Sequence, residues 1–317
     1  MNASVASSEE INGVSATDGG TQIALTPLMS IRSIITAAMF LAIAACAQPR
    51  SAQTETLHVP SKDAVLAADL QFPAGTPPFP AVVLVHGSGR VTRGQLSYMA
   101  REFLERGIAV VAYDKRGVGG STGEYSGVGP KNSVAMFDLL SADAIACAEA
   151  IRSRKDIDAR RLGLAGGSQA GWIIPVAATK TDIFSFLVIT SGPAVSVGEE
   201  IFYSDLAGYD PGSIKGLSDE EIDRRMQKFK GPYGYDPEPT LAKLRVPSIW
   251  ILGAKDRSIP VDHTIANLNR LRDAGKLPMT VKVLPRADHS LRDAETQERI
   301  EFWPDVFAWL KSQSVLR

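Results

Sequence analysis

The chain has 317 residues, 44% of them hydrophobic and 22% charged, a globular composition that excludes wholesale disorder, collagen-like repeats and coiled coils. Lys and Arg total 34 against 35 Asp and Glu, a formal net charge of −1, so the overall charge does not favour nucleic acid or an anionic membrane as a partner. The only cysteines are Cys46 and Cys147, which excludes a disulfide scaffold and a cysteine-rich zinc site.

The first 47 residues are typical of a targeting segment. Residues 1–28 contain no Lys or Arg and show no periodicity, so we interpret them as a disordered extension or as the result of an over-long start assignment, with Met29 as the true start. Residues 29–47 are predicted to be a signal peptide, because Arg32 precedes an apolar run at 34–45 that is too short to span a bilayer.

Two processing routes fit the end of this run. Cleavage at the small-x-small site Ala45-Cys46-Ala47 would release a soluble exported protein, periplasmic or secreted. Residues 43–46 also resemble a bacterial lipobox, in which Cys46 would carry a lipid that anchors the protein to a membrane. A buried core helix is the third interpretation of the apolar run at 34–45.

Cys147 lies in an apolar helical stretch and is expected to be a buried thiol.

Residues 48–317 are predicted to form one α/β domain, because apolar strand patterns alternate with helical patterns along the chain. The predicted strands lie at 57–60, 65–72, 81–85, 108–113, 162–165, 184–189, 248–252 and 279–284. The predicted helices lie at 94–106, 134–152, 169–179, 219–229, 261–273 and 294–310. The alternation indicates a mostly parallel sheet of about eight strands with helices on both faces, interrupted by an insertion at about 194–240.

Ser168 is the candidate nucleophile. Five loops follow predicted strands, and ligands bind beyond the carboxyl ends of the strands in such sheets. In one of them, Gly166–Gly171, a serine between a strand and a helix would project its hydroxyl above the sheet, and the amide of Gln169 would face an oxyanion beside it. Ala170 stands where the G-x-S-x-G pattern has its second glycine. The alternative is an N-cap serine in an ordinary turn.

His289, in the loop after the last predicted strand, is the candidate base for this serine. His263 is the rival, but it lies in the first turn of a helix and is expected at the surface. Asp256, which follows the strand at 248–252, is the candidate partner of the imidazole. Asp262 and Asp288 are weaker candidates, because each is adjacent to a histidine in sequence and poorly placed to reach its ring.

The turn His86-Gly87-Ser88-Gly89 follows the first long buried strand. Such a turn can offer a second backbone amide to an oxyanion, and we expect that amide to be the one of Ser88. His86 is expected to order the loop rather than to act as the base. A tight glycine turn without function is the alternative.

Five motifs together resemble the α/β-hydrolase superfamily of serine hydrolases over residues 54–317: HGSG, DKRGVGGSTG at 114–123, GGSQAG, LGAKDRSIP at 252–260 and ADHS at 287–290. The chain looks most similar to esterase members related to dienelactone hydrolase and to serine-peptidase-like members. The resemblance implies the α/β-hydrolase fold with a lid between the sixth and seventh strands and no cofactor or metal. It also implies site roles: Ser168 as nucleophile, His289 as base, Asp256 as its partner, and Ser88 and Gln169 as amide donors.

The predicted function is therefore a cofactor-free serine hydrolase that cleaves a small carboxylic ester through an acyl-enzyme. An aminopeptidase- or acyl-peptidase-like hydrolase acting on an amide with the same residues is the near alternative. A catalytically silent envelope lipoprotein is the alternative from another class.

Within the DKRG motif we expect Asp114 and Arg116 to tie loops together near the site. The aromatic residues of the insertion are expected mainly to pack the lid: Phe202, Tyr203, Tyr209, Phe229, Tyr233 and Tyr235.

Overall fold

The computed structural model describes residues 51–209, 217–231, 233–275 and 277–316. The predicted extension at 1–28 and the predicted signal peptide at 29–47 lie outside the described residues. Within these described ranges, no helix combines the length and the apolar character needed to cross a bilayer.

The structure contains an eight-stranded sheet with a centre of continuous apolar runs. The strands are β1 Gln53–Ser61, β2 Ala64–Phe72, β3 Phe79–Val85, β4 Ala109–Tyr113, β5 Ile157–Gly167, β6 Phe186–Thr190, β7 Ser248–Gly253 and β8 Met279–Leu284. Along the sheet they follow the order β1-β2-β4-β3-β5-β6-β7-β8. The hairpin of β1 and β2 is antiparallel and pairs antiparallel with β4, and all other pairs are parallel. Every residue of β3, β4, β6 and β7 is buried, as expected for central strands of a parallel sheet.

Helices cover both faces of the sheet, as the alternation predicted, and each face has its own apolar cluster. The helices are α1 Ser97–Leu104, α2 Ser133–Arg152, α3 Ala170–Lys180, α4 Val197–Ala207, α5 Asp219–Met226, α6 Glu238–Leu241, α7 Val261–Gly275 and α8 Trp303–Ser312. A 3₁₀ turn at Arg93–Leu96 precedes α1. One face is covered by α2, α3 and α7, the other by α1 and α8.

The insertion lies between β6 and β7, the sixth and seventh strands, and carries α4 and α5. The sequence predicted α5 with its cap, since the Ser218 hydroxyl accepts the N–H of Glu221. It missed α4, although the Ser196 hydroxyl accepts the N–H of Glu199 in the same S-x-x-E pattern. The sequence did not indicate α4 because this helix is packed on several sides and shows no clear apolar stripe.

The predicted last helix, 294–310, is wrong at its start, because α8 begins only at Trp303. The preceding segment is held in turns by Asp293, whose carboxylate accepts the N–H groups of Glu295 and Thr296. Pro304 then lies at the first turn of α8, where proline is well tolerated.

Cys147 is a buried free thiol, as predicted, and burial raises its pKa.

The DKRG loop ties distant elements together, in agreement with the expectation for Asp114 and Arg116. The Arg116 guanidinium is fully buried and donates to both carboxylate oxygens of Asp143 in α2, each at 2.9 Å. The Asp114 carboxylate accepts the backbone N–H groups of Arg93 and Gly120, at 2.7 and 2.8 Å. These bonds fix the carboxyl end of β4 against its neighbours.

Candidate active site

Ser168 lies in the sharp turn between β5 and α3, with a φ of +57°. A side chain rarely adopts this left-handed conformation, so its neighbours must hold it there. The Ser168 N–H donates to the carbonyl of Thr190 at 2.9 Å. A Cβ on Gly166 would lie 2.3 Å from the carbonyl oxygen of Val85, which shows why this neighbour must be glycine.

The departure of this turn from G-x-S-x-G has a local explanation. Ala170 is fully buried and its methyl group fits beside Gly166. The close backbone approach occurs one residue later, where a Cβ on Gly171 would lie 2.6 Å from the Cα of Gly192. The glycine is therefore needed at 171, where α3 passes the segment after β6.

The imidazole of His289 is in contact with Ser168, with 3.1 Å between Nε2 and Oγ. The loop that carries it is ordered by Asp288, whose carboxylate accepts the N–H groups of Ser290 and Arg292 at 2.8 and 2.9 Å. This loop also binds the loop after β7, because the Lys255 N–H donates to the carbonyl of Ala287 at 2.8 Å.

Asp256 is the carboxylate that reaches the other ring nitrogen, with 2.8 Å between Oδ2 and Nδ1 of His289. Its Oδ1 accepts the backbone N–H groups of Ser258 and Ile259, at 2.7 and 3.0 Å. Its side chain is completely buried, and that of His289 is 13% exposed. A buried carboxylate bound in this way holds the imidazole in one orientation and leaves Nε2 free to accept the serine proton.

His263, the rival candidate for the base, and His86 contact groups other than Ser168. His263 is half-exposed and its Nδ1 lies 2.7 Å from the carboxylate of Glu199, which raises the pKa of this histidine. His86 is buried, with Nε2 2.5 Å from the carbonyl oxygen of Tyr113. Burial lowers the pKa of His86 to about 3, so its ring is neutral and donates to that carbonyl.

His86 should make stability depend on pH. Because its pKa of about 3 lies below the value of 6.5 for a free histidine, only the unfolded chain takes up this proton between those values, and stability falls as the pH falls. Between pH 7.5 and 5.5 we expect the wild type to lose roughly 1 to 2 kcal/mol more unfolding free energy than His86→Gln, measured by urea unfolding. Equal losses in both proteins would contradict this.

The two predicted oxyanion donors belong to segments that contact or contain the nucleophile turn. Gln169 is buried and lies at the start of α3, directly after Ser168. Ser88 is an exposed residue of the turn after β3. Its neighbour Gly87 contacts the nucleophile turn, since a Cβ there would lie 3.6 Å from the Cβ of Ser168 and 3.4 Å from the carbonyl of Gly167.

Lys115 is the functional candidate that sequence reasoning missed. Its side chain is fully buried beneath the turn at 86–90, and its ammonium donates to the carbonyls of Gly87 and Gly89 at 2.6 and 2.9 Å. Burial lowers its pKa to about 7. The available signal was a lysine placed directly after a fully apolar strand, at the edge of the sheet where ligands bind.

A cleft of about 390 Å³ adjoins Ser168 and His289. Its wall includes Leu291, Ile300 and Phe302, which belong to the non-helical segment before α8. Ile300 and Phe302 belong to the part that the sequence predicted as helix. Tyr98 and Met99 from α1 line the same cleft, and the Tyr98 hydroxyl accepts the indole N–H of Trp303 at 3.1 Å. An apolar cleft beside a nucleophile suits an acyl or alcohol group.

Two lid aromatics contact the site and the others pack. The Tyr203 hydroxyl donates to the carbonyl of Asp256 at 2.9 Å, and burial raises its pKa to about 12, so it stays protonated. The Tyr209 ring meets the His289 ring edge-on, with 5.5 Å between centroids. Within the insertion, Phe202 stacks on Phe229 and Phe229 meets Tyr233. Tyr235 packs against Phe137 of α2.

Comparison with known proteins gives a family match. The sequence profile of the prolyl oligopeptidase family matches residues 94–315. Among curated proteins, the acylamino-acid-releasing enzyme of Rattus norvegicus is 25% identical over 271 residues, which are 79% of this chain and 35% of that enzyme. The chain therefore spans about a third of this relative's length.

Solved structures share the fold. An esterase from Pyrococcus furiosus superposes with a TM-score of 0.61 at 17% identity, covering 83% of this chain and 92% of the esterase. An acylaminoacyl peptidase from Pyrococcus horikoshii superposes with a TM-score of 0.60 at 16% identity, covering 88% of this chain and 43% of the peptidase. The fold is thus that of the α/β hydrolases, as the motifs implied.

Proposed function

The chain belongs to the prolyl oligopeptidase family, whose members are serine hydrolases, and from this premise we propose that it cleaves a carboxylic ester through an acyl-enzyme formed on Ser168. The observation that carries the proposal is the continuous hydrogen-bonded series Ser168, His289 and Asp256, with 3.1 and 2.8 Å between successive groups. Nucleophile, base and orienting carboxylate are the parts that such a reaction requires.

In the proposed mechanism the Oγ of Ser168 attacks the ester carbonyl while Nε2 of His289 accepts its proton. The carbonyl oxygen becomes an oxyanion, stabilised by the backbone N–H groups of Ser88 and Gln169. The tetrahedral intermediate collapses, the bond to the leaving alkoxide breaks, and the imidazolium donates its proton to that oxygen. Water, deprotonated by His289, then attacks the acyl-enzyme and releases the carboxylic acid.

Amide hydrolysis with the same residues is the second candidate function. It is favoured by the match to a peptidase family and to an enzyme named for releasing acylated amino acids. An amide demands more of the same site, because its nitrogen leaves only after protonation and the leaving amine must be placed beside His289.

Two substrates with one acyl group separate these candidates: N-acetyl-alanine methyl ester and N-acetyl-alanine p-nitroanilide. We expect steady-state hydrolysis of the ester and no anilide hydrolysis above the level of a Ser168→Ala control. Anilide hydrolysis that disappears in Ser168→Ala would overturn the restriction to esters and establish the second candidate. If neither substrate is cleaved and a fluorophosphonate probe does not label the protein, the chain is a binding protein and the proposed function is wrong.

A further inference from the structure

Lys115 is a buried amine without a carboxylate partner among the described residues. Its side chain is fully buried at the carboxyl end of β4, and the ion pairs of the described residues do not include it. Burying an amine is costly unless it is hydrogen-bonded, so its other contacts must offset the lost hydration. The groups that accept its hydrogen bonds therefore indicate which part of the site this residue holds in place.

Four groups surround the ammonium. The carbonyl oxygens of Gly87 and Gly89 lie at 2.6 and 2.9 Å, and the side-chain oxygen of Gln169 lies at 3.4 Å. The Tyr125 ring completes the shell, with its centroid 4.2 Å from Nζ. Burial lowers the pKa of Lys115 to about 7. Since even a neutral amine carries two N–H groups, both carbonyls keep a donor in either state.

The bond to Gly87 constrains the amide of Ser88. Both groups belong to one planar trans peptide, so the N–H of Ser88 points away from the carbonyl that Lys115 binds. With that carbonyl fixed below the turn, the N–H must face the opposite side. Gly87 itself lies against Ser168. A cation at the carbonyl also polarises the peptide and strengthens its N–H as a donor.

We propose that Lys115 is a positioning residue for the oxyanion site: it fixes the turn at 86–90 and the start of α3 so that the amides of Ser88 and Gln169 face the same developing charge. The inference rests on the proposed function of Ser168. Lys115 touches neither nucleophile nor base, so its removal should weaken transition-state stabilisation and leave substrate binding nearly unchanged.

The test compares Lys115→Met with Lys180→Met. Lys180 is the control, since its ammonium likewise makes three hydrogen bonds, here to the carbonyl and carboxylate of Asp138 and to the hydroxyl of Ser141. These bonds lie between α2 and α3, away from the cleft. Four quantities are measured: kcat and KM for p-nitrophenyl acetate, the rate constant of phosphonylation by a fluorophosphonate probe, and the inhibition constant of phenylethaneboronic acid, which forms a tetrahedral adduct.

For Lys115→Met we expect kcat and the phosphonylation rate to fall about 10- to 100-fold, less than the loss of an entire oxyanion donor. The boronic acid should bind weaker by a similar factor, and KM should change less than threefold. Lys180→Met should match the wild type within threefold in all four quantities. Thermal unfolding establishes that each variant is folded. Lys115→Gln, which keeps two N–H donors, replaces Lys115→Met if the latter does not fold. Its kcat and phosphonylation rate should lie between those of Lys115→Met and the wild type.

Two results would overturn the inference. One is a folded Lys115→Met with wild-type kcat, phosphonylation and boronate affinity; the other is a loss confined to KM. If Lys115→Gln must be used alone, wild-type values in it count equally against the inference. Failure of the proposed function is a separate outcome, because then the probe would not react with Ser168 even in the wild type.

Discussion

Ser168→Ala is expected to lower kcat for ester hydrolysis about 10⁵- to 10⁶-fold, because it removes the only atom that can form the acyl-enzyme in the proposed mechanism. KM should change little, since the cleft beside the residue is untouched. The fold should be retained, because the Ser168 N–H, which binds Thr190, stays in place. Steady-state kinetics on p-nitrophenyl acetate measure the loss.

Ser290→Ala is the matched control for this change. Ser290 lines the same cleft and follows His289 directly, but its side chain is exposed. Its kcat should stay within threefold of the wild type. Residual activity of Ser168→Ala above about 1% of the wild-type kcat, in protein free of wild-type contamination, would show that another group attacks the substrate.

Asp256→Asn should lower kcat about 10⁴-fold, even though the two side chains have the same shape. The backbone N–H groups of Ser258 and Ile259 would bind the carboxamide oxygen, as they now bind Oδ1. The carboxamide N–H₂ would then face Nδ1 of His289. That nitrogen would have to accept, which places the ring proton on Nε2 and removes the base that Ser168 needs.

Asp288→Asn tests whether this loss is specific. Asp288 is adjacent to His289 in sequence, yet its carboxylate binds backbone N–H groups of its own loop. An asparagine can accept the same bonds, so kcat should fall less than tenfold. If Asp256→Asn were as active as Asp288→Asn, the orienting role of Asp256 in the proposed mechanism would be wrong.

The sequence was informative about the site because parallel strands end at one edge of the sheet. Ser168, Asp256 and His289 follow β5, β7 and β8 in turn, so strand positions alone indicated that their loops meet. Glycine positions were also informative, because Gly166 and Gly171 lie where two backbones come too close to leave room for a side chain.

Tertiary contacts decided what the sequence could not show. The segment before α8 is rich in helix-forming residues, but the side chain of Asp293 captures its N–H groups in a turn. A lysine side chain is ordinarily exposed, and the burial of Lys115 depends on carbonyls that lie 26 and 28 positions away. The roles of Tyr203 and Tyr209 likewise depend on where the lid lies over the site. The signal peptide at 29–47 stays a prediction.

In the proposed mechanism the hydroxyl of Ser168, activated by His289, is the nucleophile. This is tested by reaction with a fluorophosphonate probe followed by peptide mapping with mass spectrometry, in the wild type and in His289→Ala. We expect one phosphonyl group per chain, located on Ser168, and a labelling rate at least 1,000-fold slower without the imidazole, as about 10³ or more is expected when a triad member is lost. A wild-type protein that stays unlabelled, or a label on any other residue, would contradict it.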